Sequence, residues 1–245
     1  MERAVSNPSY RLVTFKPLCF NKQGRTAIQR YGFPPYIDAS CRREPNLQSA
    51  YPSITALCRA NLLAPKLEEG DEVAYITKQG AYKPHRFAHW RLVAILRVHR
   101  RFNSHEDAAA WYGEQGLPLP SNCMVSGNVP LPFDMTGGFP PKVAKTGANV
   151  DVGMRLWDKD YKERAKEWSV FVVCEASFLD LYEPPVITRE MMSGIFGGTP
   201  QTQNPQPIKA EQFEALRKIA AAHSRNSRQP DSTTAISSSV KPYSS

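Results

Sequence analysis

Two apolar runs close together, GDEVAYIT from Gly70 and WRLVAILRVHRRF ending at Phe102, restrict the fold more than any other feature of the chain. In the first, Val73, Tyr75 and Thr77 alternate with Ala74 and Ile76 behind a Gly-Asp turn, which is the two-residue period of a strand. In the second, Leu92, Ala94, Leu96 and Val98 alternate with Val93, Ile95, Arg97 and His99. Both of its faces are apolar until Arg97, as in a strand covered on two sides that leaves the core near its end. The pair predicts a small β-barrel whose loops and edge face a polyanion.

The charge pattern supplies the polyanion. From Val73 to His105 there are seven Lys or Arg and no Asp or Glu. Lys78, Lys83, Arg86, Arg91, Arg97, Arg100 and Arg101 fall in the connecting loop or towards the strand ends, where they form either a solvated face or a nucleic-acid surface. The net charge of +8 and an isoelectric point near 9.3 favour an anionic partner. His85, His89, His99 and His105 are expected to add charge to this face below pH 7. With 41% hydrophobic and 22% charged residues the chain reads as globular, and no run approaches the roughly 20 apolar residues that cross a bilayer. Five widely spaced cysteines suit free thiols in a reducing compartment, so a cytoplasmic protein without a membrane partner is expected.

The organisation expected around the two runs is a main domain over 1–196, a linker over 197–207, a helix over 208–224 and a disordered Ser/Thr-rich tail over 225–245. Within the main domain, Tyr10 to Phe15 reads as a strand. Ser53 to Leu63 reads as a short helix with Ile54, Leu57, Cys58 and Leu62 on one side. A helix is expected from Ser104, its N-cap, through Tyr112, and a charged one from Trp157 to Trp168. SVFVVCEA at 169–176 reads as a core strand, with FLDLY at 178–182 following it. The proline-rich stretch from Leu117 to Pro141 should pack across the surface or border a site. The C-terminal helix, with Phe213, Leu216, Ile219 and Ala220 at helical spacing, either packs back or recruits a protein partner.

The densest polar cluster is IDASCRREP, Ile37 to Pro45, followed by PSITALCR, Pro52 to Arg59. The planar guanidiniums of Arg42 and Arg43 match phosphate oxygens or a guanine edge, while the plainer alternative is a surface loop tied by an Arg-Glu pair. Cys41, beside two arginines, is the one cysteine with a route to a lowered pKa, whereas Cys58, on the apolar side of its expected helix, should be a buried inert thiol. Trp90, at a loop-to-strand junction beside Arg91, suits the wall of a base pocket, and Trp111 suits the core. Asn122 either reads a base edge or holds its own loop. Asp71 is expected to close a turn. There is no CxxC, and no metal, cofactor or catalytic group is expected.

The ordered set formed by the Asp- and Cys-containing loop, the Pro-Ser-Ile-Thr-x-Leu-Cys-Arg segment, Leu-x-x-Gly-Asp-x-Val-x-Tyr-Ile-Thr and Arg-Leu-Val-Ala-Ile-Leu-x-Val resembles the nucleotide-modification-associated domains. These look related to the PUA-like superfamily with its EVE, ASCH and YTH domains. The resemblance spans roughly Tyr36 to Tyr112, with 117–132 as a continuation, and rests on Asp38, Cys41, Ile54, Cys58, Arg59, Gly70, Asp71, Arg91, Leu92 and Val93. It implies an α+β fold, a PUA-like small β-barrel with accessory helices at its mouth, that binds nucleic acid and seats a modified base against an aromatic wall.

The combined expectation is a nucleic-acid-binding domain, for DNA rather than RNA, in a DNA-modification, restriction or defence setting. Arg42, Arg43, Arg59, Lys78, Lys83, Arg86, Arg91, Arg100 and Arg101 would meet the nucleic acid, and Tyr36, Asp38, Ser40, Cys41, Trp90 and Asn122 would form the base pocket. The rival expectation is an enzyme acting on a nucleotide or nucleobase through Asp38 and Cys41.

Overall fold

A computed structural model describes residues 8–226, so most of the tail expected at 225–245 lies outside the described residues. The two apolar runs are the adjacent strands β3 (Glu72–Thr77) and β4 (Trp90–Phe102). They pair antiparallel, with β1 (Tyr10–Phe15) parallel to β3 on its other side. Beyond β4 lies β5 (Phe171–Leu179), one continuous strand over both segments read from the sequence. The edges are β2 (Ser53–Thr55) against β5 and β7 (Pro207–Ile208) against β1, while β6 (Val186–Ile187) pairs with the start of β4. Among the described residues the seven strands therefore form one mixed sheet in the order β2-β5-β4-β3-β1-β7, with β6 off this path, and this sheet does not close into the expected small β-barrel.

Both sides of the sheet are covered, as the doubly apolar β4 requires. On one face Val13, Val73, Tyr75, Leu96 and Val98 pack under the irregular 36–67 segment through Tyr36, Leu47, Ile54 and Leu63. On the other, Leu12, Ile76, Leu92 and Ile95 meet α5 (Arg189–Phe196) and α6 (Ala210–Asn226). The register of β4 on β3 slips between Tyr75 and Ile76, and a bulge of this kind bends a long strand from one face towards the other. Phe213, Leu216 and Ala220 of α6 are buried on the sheet, so the apolar stripe suggested for a protein partner is consumed within the fold.

The remaining helices are α1 (Lys22–Tyr31), α2 (His105–Glu114), the single turn α3 (Pro141–Ala144) and α4 (Val150–Glu167). Ser104 caps α2 by accepting from Asp107 N at 3.0 Å, as expected. Helix α4 begins seven residues before Trp157 because Asn149 supplies its cap. The helix expected over 53–63 does not form. Ser53, Ile54 and Thr55 pair with Val173, Val172 and Phe171 instead, and the β-branched Ile54 and Thr55 suit that edge. A short turn, Ala60–Leu62, follows, entered through Ala60 at φ 48°.

Candidate functional site

Beyond the C-terminal ends of the parallel strands β1 and β3 the chain leaves a cleft of about 460 Å³. Lys16 follows β1, and Lys78 and Gln79 follow β3. Trp90, entering β4, closes that side. The opposite wall is Asp38, Ser40 and Glu44 of the polar loop, with Trp157 and Tyr161 one turn apart on α4. Arg59 and the 199–203 segment form the rim. The latter belongs to the stretch expected to be a linker, yet it is strapped down: Thr202 Oγ1 lies 2.9 Å from Thr14 Oγ1, and Arg59 Nη1 donates to Gln203 O at 3.1 Å and to its Oε1 at 3.2 Å.

Asp38 is the chemically most distinctive group in this wall. Its Oδ1 accepts from Ser40 N at 2.8 Å and Glu44 N at 3.0 Å, which fixes the loop around it. Burial nevertheless dominates, and its carboxyl is pushed up to about 6 despite those donors and the nearby Arg43. Lys16 faces the same space and donates to Gly137 O at 3.2 Å. Its pKa is lowered by burial, with Asp38 opposing the shift and Lys78 adding to it. Glu44 is pushed up to about 8, again by burial first. It is a structural hub: it accepts from Thr55 N at 2.9 Å, Thr55 Oγ1 at 2.6 Å and Asn122 Nδ2 at 2.8 Å.

Of the six residues expected in a base pocket, Asp38, Ser40 and Trp90 come to the cleft, whereas Tyr36, Cys41 and Asn122 do not line it. Tyr36 is buried under Arg91, whose guanidinium carbon is 5.9 Å from its ring centre. Asn122 is wholly buried and spends its amide on Glu44 and Ser53, so it holds its loop to β2 instead of reading a base. Cys41 is buried against Leu57 and Trp157, and burial raises its thiol to about 12, the reverse of the activation expected from its arginine neighbours. Cys58, expected to be a buried inert thiol, is the exposed cysteine as a residue and lines the cleft, yet desolvation of its sulfur, 3.7 Å from the Tyr161 hydroxyl, holds the thiol above its ordinary value.

The nine expected nucleic-acid contacts also divide. Arg42 and Arg43 are each only 2% exposed. Arg42 reaches Asp158 Oδ1 through Nε at 2.9 Å and Nη2 at 2.6 Å, and Asn128 O through Nη1 at 2.7 Å. Arg43 donates to the carbonyls of Asp38, Ser40 and Met135. The two therefore fasten the proline-rich segment to the cleft wall and present nothing to a phosphate. Arg91 is a buried staple as well, donating to Pro184 O at 2.7 Å, Lys83 O at 3.3 Å and His89 Nε2 at 3.1 Å.

Arg100 and Arg101 lie near the far end of β4 from the loop cations, about 33 Å of strand beyond Trp90 at roughly 3.3 Å per residue. Acids from neighbouring elements approach that far end: Glu68 lies 3.9 Å from Arg101, and Arg97 is in register between Glu72 and Glu175. An acid-free sequence segment is thus not an acid-free surface. Lys78, Lys83 and Arg86, and Arg100 at the far end of β4, are exposed with no ion pair among the described residues, and Arg59 is at the rim. Of the histidines, burial lowers His89, and takes His105 down to about 4, so these two do not charge near neutrality. His99 faces Glu175 at 3.2 Å.

The site also contains residues that the sequence reading missed. Lys16 follows an ordinary strand and carried no signal. Trp157 and Tyr161 carried one, since aromatics four residues apart on a helix share a face.

No family model matches the sequence, and no curated protein is similar to it. Among solved structures the chain is similar to an ASCH protein from Zymomonas mobilis, with 6% identity over 87% of this chain and 96% of that one and a TM-score of 0.37. It is also similar to a hypothetical protein from Leishmania major, with 12% identity over 89% and 98% of the two chains and a TM-score of 0.36. Likenesses this distant transfer no ligand and no activity. Among the described residues no helix is long and apolar enough to cross a membrane, and no group of three or more His, Cys, Asp or Glu is placed to hold a metal ion.

Proposed function

We propose that the chain binds nucleic acid and takes one base, or modified base, into the cleft between Asp38 and Trp90. The observation that carries this reading is the convergence of a buried carboxyl, aromatic side chains and exposed cations on one cavity. About 460 Å³ is within the range of small-molecule pockets and accommodates a nucleobase with its sugar. A carboxyl held to about 6 offers a donor in one protonation state and only acceptors in the other, a match for the edge of a base. Lys78, Lys83, Arg86 and Arg59 would meet the flanking phosphates. DNA is the first polymer to test, because the resemblance of the Ile37–Pro45 and Gly70–Val98 motifs points to modified nucleotides.

The enzymatic alternative through Asp38 and Cys41 has less support, since the Cys41 thiol is buried away from the cleft and far from ionisation at neutral pH.

The test is fluorescence-anisotropy titration with single- and double-stranded oligonucleotides, unmodified or carrying 5-methylcytosine, 5-hydroxymethylcytosine or N6-methyladenine, across a salt series. Binding should weaken steeply with salt, and Lys78→Ala, Lys83→Ala and Arg86→Ala together should reduce the log-log salt slope by about 2 to 3. Absence of binding at low salt, or an unchanged slope in the triple variant, refutes the reading.

A further inference from the structure

The connection between β3 and β4, residues 78–89, combines features that the fold does not explain. Its ends are cleft wall, since Lys78, Gln79 and Trp90 all line the cavity. Its tip exposes an aromatic ring: Phe87 is 49% exposed although it lies between Arg86 and Ala88, three residues from Pro84. The ring neighbours two imidazoles, with centre-to-centre distances of 5.2 Å to His85 and 5.1 Å to His89. Lys83 and Arg86, both exposed and without acidic partners among the described residues, belong to the same loop, four residues and one residue before Phe87.

The loop is also firmly held from beneath. Gly80 and His89 exchange backbone hydrogen bonds of 3.0 Å in both directions, and the Tyr82 hydroxyl bonds the Lys78 carbonyl. His89 Nδ1 lies 2.9 Å from the Phe87 carbonyl, fixing the backbone of the exposed residue itself. Buried Arg91 then ties Lys83 O, His89 Nε2 and Pro184 O together. A floppy loop exposing a phenyl ring needs no special account. A braced one that exposes the ring in a loop carrying two exposed cations, its ends forming cleft wall, has the composition and rigidity of a stacking platform.

We infer that Phe87 stacks on the nucleobase adjoining the one held in the cleft, while Lys83 and Arg86 engage the phosphates on either side of it. The ring would fill or cap the gap in the stack left when the neighbouring base leaves it, which lowers the cost of extrusion. This inference rests on the proposed function and adds to it a second recognition point outside the cavity. The partner chemistry follows from the surface: a flat apolar ring in a loop with exposed cations suits a polymer whose flat apolar bases alternate with anions.

The experiment compares full-length wild type, Phe87→Ala, Phe87→Trp and the Lys78/Lys83/Arg86 triple alanine variant. Each is titrated with the best-bound oligonucleotide, carrying 2-aminopurine beside the target base. Phe87→Ala should weaken binding about 5- to 100-fold without changing the salt slope, and should abolish the quenching of 2-aminopurine produced by stacking. Phe87→Trp should retain both. Because the ring is exposed and its aromatic neighbours are His85 and His89 of the same loop, its removal leaves the core intact, and matched thermal unfolding curves verify this.

If Phe87→Ala binds and quenches like wild type while the triple variant loses affinity and salt slope, the stacking role is overturned and the nucleic-acid reading stands. If wild type binds no oligonucleotide, both fall. Phe87-dependent sedimentation with phosphatidylserine vesicles in that case identifies the loop as a lipid-surface contact, which also overturns the inference.

Discussion

Replacing Asp38 by Asn should make the protein more stable at neutral pH while it loses its ligand. The Oδ1 of the introduced asparagine can still accept from the Ser40 and Glu44 amides, so the loop geometry survives and only the ionisable group is removed. In the unfolded chain the Asp38 carboxyl ionises near its ordinary 3.8, whereas in the folded protein it keeps its proton to about 6. Between those pH values the folded state binds more protons than the unfolded one, so wild-type stability falls as pH rises through this window and is level above it. At about 1.4 kcal/mol per pH unit, the buried carboxylate costs about 3 kcal/mol at pH 7. The Asp38→Asn variant escapes that cost, because its neutral amide resembles the protonated carboxyl at every pH.

The wild type and Asp38→Asn should therefore have nearly equal stability at pH 4 and diverge between pH 4 and 6. At pH 7 the variant's Tm should be higher by about 6–12 °C for a chain of this size. Glu44, pushed up from 4.5 to about 8, adds a further fall in stability between those pH values in both proteins, and because the Asp38 charge is one of the causes of its shift, Asp38→Asn lessens that fall and widens the difference in the same direction. Urea denaturation monitored by tryptophan fluorescence at several pH values checks the curve, and anisotropy on the same samples checks binding. A variant less stable than wild type at pH 7, or a difference independent of pH, refutes the argument that burial controls this carboxyl. Unchanged oligonucleotide affinity would remove Asp38 from the site.

Arg42→Met strands Asp158 and two backbone carbonyls, so it should destabilise the fold by about 3 kcal/mol, the low end for a broken buried pair because Lys162 lies 2.8 Å from Asp158. Adding Asp158→Asn should recover part of the loss in urea unfolding, and an Arg42→Met protein of wild-type stability that no longer binds oligonucleotide would return Arg42 to the ligand surface. Among the cysteines, desolvation holds even the Cys58 thiol above its ordinary value, so native labelling should be slow at neutral pH, but a thiol reagent at alkaline pH should reach exposed Cys58 first and Cys41, Cys123 and Cys174 only in denaturant, as followed by mass spectrometry. Rapid native labelling at Cys41 contradicts its placement.

The strands carrying the sheet were legible because their information is local. A two-residue period over Val73–Thr77, apolar positions on both faces of Leu92–Leu96 and the apolar run at 171–174 each specify a strand that must be covered, whatever its partners. Caps were legible for the same reason, as at Ser104. Closure of the sheet was not, because it depends on which edges meet. Short β2 and β7 take the edge positions through contacts between residues more than a hundred positions apart, Ile54 with Val172 and Tyr10 with Ile208.

The same division runs through the site. Sequence alone marked Asp38 and Trp90 by composition and position, and both line the cleft. It marked Arg42, Arg43 and Arg91 as surface cations with equal force, and it had no means of knowing what they would face. Asp158, the carbonyls of the proline-rich segment and the loop at Pro184 come from distant parts of the chain to surround those guanidiniums. Charge is a property of a residue, whereas exposure and pKa belong to its surroundings. The chain by itself determined which segments are strands and which residues bear charge. Tertiary packing decided which charges reach solvent, which carboxyls hold their protons to a higher pH and which residues enclose the cleft.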